Sequence, residues 1–121
     1  MTASRSAVPP PRVLLHLPDR RRRLVDPEDL YYLEADGDDT LVRLRGARPL
    51  RDVRRLGEIL EKLEPLGFVR VHRNHAVNPR HVRELRPTRR RDGWELRLEP
   101  PVNKVLPMSR SGHSALLAVL G

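Results

Sequence analysis

The stretch Phe68-Val69-Arg70-Val71-His72-Arg73-Asn74-His75-Ala76-Val77-Asn78 decides how the rest of this 121-residue chain is read. Apolar and polar residues alternate along it, which is the period-two signature of a strand with one buried face. Phe68, Val69, Val71, Ala76 and Val77 are expected to anchor the segment in a core. His72, Arg73, Asn74 and His75 then stand where the strand leaves that core. Side chains of these three types donate to phosphate oxygens and to base edges.

The flanking sequence is built from short strands and turn signals. Arg12 to Leu17 alternates loosely, and Arg20 to Val25 is expected to pair back on it across Pro18-Asp19. Leu30 to Ala35 is a β-rich run. Asp36-Gly37-Asp38-Asp39 signals a turn, so a hairpin to Thr40–Arg45 is expected, with Leu41 and Leu44 at or near the core. Arg48 to Arg54 carries no decisive pattern. Leu56, Ile59, Leu60 and Leu63 recur at i, i+3, i+4 and i+7, the apolar stripe of a short helix that Pro65 and Gly67 end. Beyond Asn78-Pro79, further strands are read at His81–Arg86, Trp94–Glu99 and Lys104–Met108. Ser111 is placed to cap a terminal helix over Gly112–Leu120. The pattern predicts a mostly-β, antiparallel domain over residues 12–121 with one short internal helix and a C-terminal helix, preceded by a disordered proline-rich tail over residues 1–11. A helix-turn-helix is not expected, because strands separate the two helical segments.

The net charge is +8, and all of the 24 basic residues except Lys62 and Lys104 are arginine. A GC-rich codon bias accounts for the ratio of Arg to Lys, but not for the excess of base over acid. Arg70, Arg73, Arg80, Arg83, Arg86, Arg89, Arg90 and Arg91 fall within one third of the chain and adjoin the polar cluster at His72–His75. That concentration favours a polyanionic partner. Aromatic residues make up only 3%, too few for the stacking platforms that bind single strands, so duplex DNA is favoured over RNA loops. There are no cysteines, which excludes disulfides and cysteine-ligated zinc. No apolar run reaches the length of a membrane span and no secretory signal opens the chain. A cytoplasmic protein with no membrane association is therefore expected.

Other chemistries fit less well. His72 and His75 invite a metal reading, with Asp92 or His81 as nominal third ligands. On one continuous strand, however, i and i+3 point to opposite faces, so no metal site is expected. Neither Ser109 nor Ser111 lies in a nucleophile elbow, and no glycine-rich phosphate loop occurs, so neither an enzyme nor a cofactor is expected.

Three ordered motifs give the chain a family resemblance. Phe68, Arg70, His72, Arg73, Asn74, His75, Val77 and Asn78 follow a Phe-x-Arg-x-His-Arg-Ser-aromatic-x-Val-Asn hallmark. Asp29-Leu30-Tyr31-Tyr32-Leu33-Glu34-Ala35 matches an acidic-apolar strand hallmark, and Pro107-Met108-Ser109-Arg110 a late Pro-Val-Ser-Arg hallmark. Over Arg12 to Leu120 the chain resembles the LytTR family of bacterial DNA-binding domains. The resemblance implies an elongated fold of small antiparallel sheets whose loops enter successive major grooves as part of a transcriptional regulator. The family's contact positions fall here at about Asp39, at Arg73 and at Arg110. Asn74 supplies a phosphate bond, His72 orients the motif turn, and Arg70 with Arg89, Arg90 and Arg91 adds non-specific affinity. A stand-alone domain without a receiver is expected, and binding as a homodimer or as paired copies on repeated sites is compatible with it. Asn74 stands in place of the family serine, and His75 in place of the aromatic. Asp39 is a carboxylate where a groove contact is implied, and it favours a rival reading: an interaction module that inhibits a DNA-binding relative. An RNA-binding β-domain is the third.

Overall fold

The computed structural model describes residues 11–121, so apart from Pro11 the tail expected over residues 1–11 lies outside the described residues. The centre of the fold is a five-stranded antiparallel sheet in the order β5-β4-β3-β7-β6. These strands are β3 (Leu30–Asp36), β4 (Asp39–Leu44), β5 (Leu50–Asp52), β6 (Val69–His72) and β7 (His75–Val77). A two-stranded ribbon of β1 (Val13–His16) and β2 (Arg22–Val25) and a three-stranded sheet β10-β9-β8 complete the strands. The latter comprises β8 (Val82–Pro87), β9 (Trp94–Leu98) and β10 (Val105–Met108). The helices are α1 (Leu56–Leu63) and α2 (Arg110–Leu120). This is the mostly-β arrangement with two helices that the sequence pattern predicts.

The central sheet packs on both faces along β3 and β7. One face packs Leu33, Val42 and Ala76 against the β1–β2 ribbon and α1. All four stripe residues of α1 are buried there, each contributing roughly 1.5–3 kcal/mol of apolar burial. The opposite face packs Tyr32, Val71 and Val77 against β9, β10 and Leu116 of α2. Period-two alternation therefore distributes one strand's apolar residues between two cores. The five anchors expected in the opening stretch, Phe68, Val69, Val71, Ala76 and Val77, are all buried.

Two expectations need correcting, and one undecided segment is settled. Leu41 is not a core residue. Thr40, Val42 and Leu44 form the buried row of β4, because Leu41 and Leu44 are an odd number of residues apart and cannot share a face. Ser111 does not cap α2. Ser109 does, accepting from the Gly112 N–H through Oγ at 3.0 Å, and the helix starts at Arg110. Finally, the undecided Arg48–Arg54 segment holds β5. Its Asp52 is fully buried, and takes hydrogen bonds from the His16 amide at 2.8 Å and from Arg54.

Candidate nucleic-acid interface

The opening stretch folds as a hairpin, β6–β7, closed by the two-residue turn Arg73-Asn74. Neither turn residue adopts a positive φ. An ordinary turn of this kind mismatches the strand twist, and the chain absorbs the mismatch with a bulge: Arg70 pairs with Ala76 and His72 with His75, leaving Val71 as the extra residue. The bulge rotates His72 onto the same face as His75, with ring centroids 5.6 Å apart. The expectation that these two rings point to opposite faces is therefore wrong. They are cross-strand partners on two strands, not i and i+3 on one. Even so, no group of three ligating side chains suited to a metal ion occurs among the described residues. Of the nominal third ligands, His81 is stacked on Tyr31 at 4.0 Å, and Asp92 stands beside Arg110.

The turn is held from below. His72 Nδ1 accepts from the Asn74 amide at 3.2 Å, and Arg70 Nη2 donates to the Arg73 carbonyl at 2.5 Å. The side chains of Arg73 and Asn74 stay exposed. Asn78 closes the motif from inside. Its Nδ2 donates to the carbonyls of Pro27 at 3.2 Å and Leu30 at 3.1 Å, and its Oδ1 accepts from the Arg80 amide. His75 sits half inside the core: Nε2 lies 3.8 Å from Glu34 Oε2, and Nδ1 is buried with no partner among the described residues. Burial pushes the His75 pKa below the ordinary histidine value, against the opposing pull of Glu34.

Two further elements converge on the turn. The Ser109 amide donates to the Val71 carbonyl at 2.8 Å, docking the start of α2 beside β6. Gly112 makes that approach feasible, since a Cβ there would lie 1.9 Å from the Val71 carbonyl oxygen. Arg110, the first residue of α2, follows directly on this contact with Val71, which lies two residues before Arg73. Arg110 is 86% exposed, and among the described residues its one ion-pair contact is a long 3.7 Å to Asp92. The turn between β8 and β9 brings Arg90 and Arg91 to a groove of about 660 Å³ that His72, Trp94 and Ser109 also line. Arg89 is exposed in the same turn. Two more arginines of this third are paired, Arg80 with Glu28 and Arg86 with Glu95 at 2.6 Å, while Arg83 is exposed. These acids come from elsewhere in the sequence, so the charge run does not form one continuous basic patch.

The β3–β4 tip reaches the same end of the central sheet, because the Ala35 amide donates to the Asn74 carbonyl at 2.8 Å. Asp39 is not a free carboxylate. Arg51 on β5 bridges Asp39 at 3.2 Å and Asp36 at 2.7 Å, while Arg55 pairs with Asp38 at 2.8 Å. Arg51 and Arg55 were not singled out in the sequence, since they flank a segment without a legible period. Trp94 carries only a strand signal in the sequence, yet it stacks on His113 at 4.3 Å beside the groove. None of the described helices is long and apolar enough to cross a membrane.

Comparison with known proteins gives consistent matches. The family model described as LytTr DNA-binding domain matches residues 20–121. The heme-containing CO-sensing transcriptional regulator RcoM 2 of Paraburkholderia xenovorans is 28% identical over 96% of this chain and 43% of its own length. The CO-responsive transcriptional regulator RcoM of Rhodospirillum rubrum is 31% identical over 79% of this chain and 39% of its own. The chain thus spans less than half the length of these relatives. Among solved structures, the LytTr DNA-binding domain of a Bacillus cereus methyl-accepting/DNA response regulator shares the fold, with a TM-score of 0.66 and 24% identity over 91% of this chain and 96% of its own.

Proposed function

The chain belongs to the LytTr DNA-binding domain family, and from that premise we propose that it binds duplex DNA sequence-specifically as part of a transcriptional regulator. The observation that carries this reading is the clamped Arg73-Asn74 turn, with the start of α2, which carries Arg110, docked on β6 through Ser109 and Val71. Arg73 and Arg110 are the base or phosphate readers, each able to grip guanine or phosphate in bidentate fashion. Asn74 bonds a phosphate, His72 and Arg70 hold the turn, and Arg89, Arg90 and Arg91 track the adjoining backbone. The binding unit runs from Arg12 to Gly121, a reading supported by Val13 and Leu15 filling the core beneath α1. It acts in the cytoplasm, where its DNA is.

Mobility shift on genomic duplex fragments, with structured RNA as competitor, tests this. Wild type is expected to shift duplex in preference to RNA, and Arg73→Ala to lose the specific complex. Equal, salt-insensitive binding by both proteins would sink the reading. The acidic β3–β4 tip favours a second reading, an interaction module that blocks a DNA-binding relative. Retention of a protein partner with no shift on any duplex would favour it.

A further inference from the structure

The β3–β4 tip is an electrostatic contradiction in a DNA-binding surface. Asp36, Asp38 and Asp39 crowd a two-residue turn in which Gly37 adopts a φ of 63°. Ala35, the residue before Asp36, is hydrogen-bonded to Asn74 at 2.8 Å. A phosphate held by Asn74 would approach this acidic tip, and like charges repel appreciably within a Debye length, about 8 Å at physiological salt. Left free, the carboxylates would rotate toward solvent and face the DNA. Arg51 is placed to restrain them. Its strand pairs with β4, so its guanidinium reaches both Asp36 and Asp39 across the sheet surface with separate nitrogens. The planar fork of arginine suits such a bridge, whereas the point charge of lysine does not.

Resting on the proposed DNA-binding function, we infer that Arg51 is a positioning residue for DNA: it gathers the Asp36 and Asp39 carboxylates back onto the sheet and keeps the tip beside Asn74 compatible with a polyanion. Arg51 itself need not touch the nucleic acid. The exposed Arg55–Asp38 pair does the same for the outermost carboxylate, with less constraint because both partners are more than 70% exposed. On this account the sequence tolerates acid at a groove-facing loop because the neighbouring strand supplies its counter-charge.

The test is a binding cycle on one duplex that wild type shifts, measured by fluorescence anisotropy at several salt concentrations. Arg51→Ala is expected to weaken binding about tenfold, as like charges are freed against the partner. In an Asp36→Asn, Asp39→Asn background, the same change is expected to cost almost nothing. Thermal unfolding should barely move, because exposed ion pairs contribute little to stability. An unchanged affinity for Arg51→Ala overturns the inference. So does an equal loss in both backgrounds with a salt slope flattened by about one counterion, which would mean that Arg51 grips phosphate directly. Failure of wild type to bind any duplex would remove the functional reading, and the inference with it. Binding by wild type with an inert Arg51 would remove the inference alone.

Discussion

His75 lies directly across the Arg73-Asn74 turn from His72, with ring centroids 5.6 Å apart, and only His72 uses its ring to hold the turn. Nδ1 of His75 points into the core without a partner among the described residues. The two histidines of one motif thus have different roles: one bonds the turn and the other occupies the slot that the family pattern gives to an aromatic side chain.

That assignment predicts a pH dependence of stability. Burial lowers the folded-state pKa of His75 below its ordinary value of 6.5. The unfolded chain therefore binds more protons than the folded one as pH falls below about 6.5, and stability drops until the folded value is passed. His16, lowered by burial and by Arg54 and Arg22, acts in the same direction. His75→Phe is expected to flatten much of the fall in Tm between pH 7.5 and 5.5, leaving the part due to His16. An unchanged pH profile would contradict the burial argument.

Asp52 predicts the acid limb. Burial pushes its carboxyl up, but hydrogen bonds from Arg54 and His16 outweigh this, and its net value lies below the ordinary 3.8. The stability it contributes is present above pH 3.8 and lost as pH falls through the lower folded value. Asp52→Ala removes an acceptor that is 0% exposed and strands Arg54, which is 17% exposed. A loss of about 3–5 kcal/mol is expected by urea unfolding at pH 7, and Asp52→Asn should recover only part of it.

Gly112→Ala sets helix propensity against packing. Alanine favours a helix over glycine by about 1 kcal/mol. The new Cβ, however, would meet the Val71 carbonyl carbon at 2.4 Å and its oxygen at 1.9 Å. These are backbone atoms already tied to Ser109, so they have little room to yield. Overpacking of this kind costs about 1–3 kcal/mol, and here it wins. We expect a lower Tm together with weaker DNA binding, as the start of α2 that carries Arg110 is displaced from Val71. A rise in Tm would show that α2 is not docked as described.

Much of this was legible in sequence, and the reasons differ by element. The α1 stripe and the Asp36–Asp39 turn are local, so period and turn chemistry suffice. The motifs singled out Arg73 and Arg110, and both are exposed, one in the β6–β7 turn and one at the start of α2. The facing of His72 was not legible, because a bulge reverses the alternation and leaves no mark in residue type. Nor was Arg51: its partners are 12 and 15 residues away and meet it only through strand pairing. The partners of Arg80 and Arg86, Glu28 and Glu95, likewise come from outside the charge run.

Trp94 gives a built-in reporter, as the chain's single tryptophan. It stacks on His113 and lines the groove that Arg90, Arg91 and Ser109 share. Titration with duplex is expected to change its emission in a saturable way, with a midpoint that tracks anisotropy and moves to higher concentration in Arg110→Ala. A flat emission alongside clear binding would mean that DNA docks on another face.

The central claim is that the Arg73-Asn74 turn and Arg110 read a specific duplex. Selection of bound genomic fragments, followed by anisotropy on the selected site and on scrambled duplex, tests it most directly. Wild type is predicted to prefer the selected site, while Arg73→Ala binds both duplexes with nearly equal, salt-sensitive affinity, having lost roughly 1–3 kcal/mol of base discrimination. Undiminished preference for the selected site in both Arg73→Ala and Arg110→Ala would contradict it.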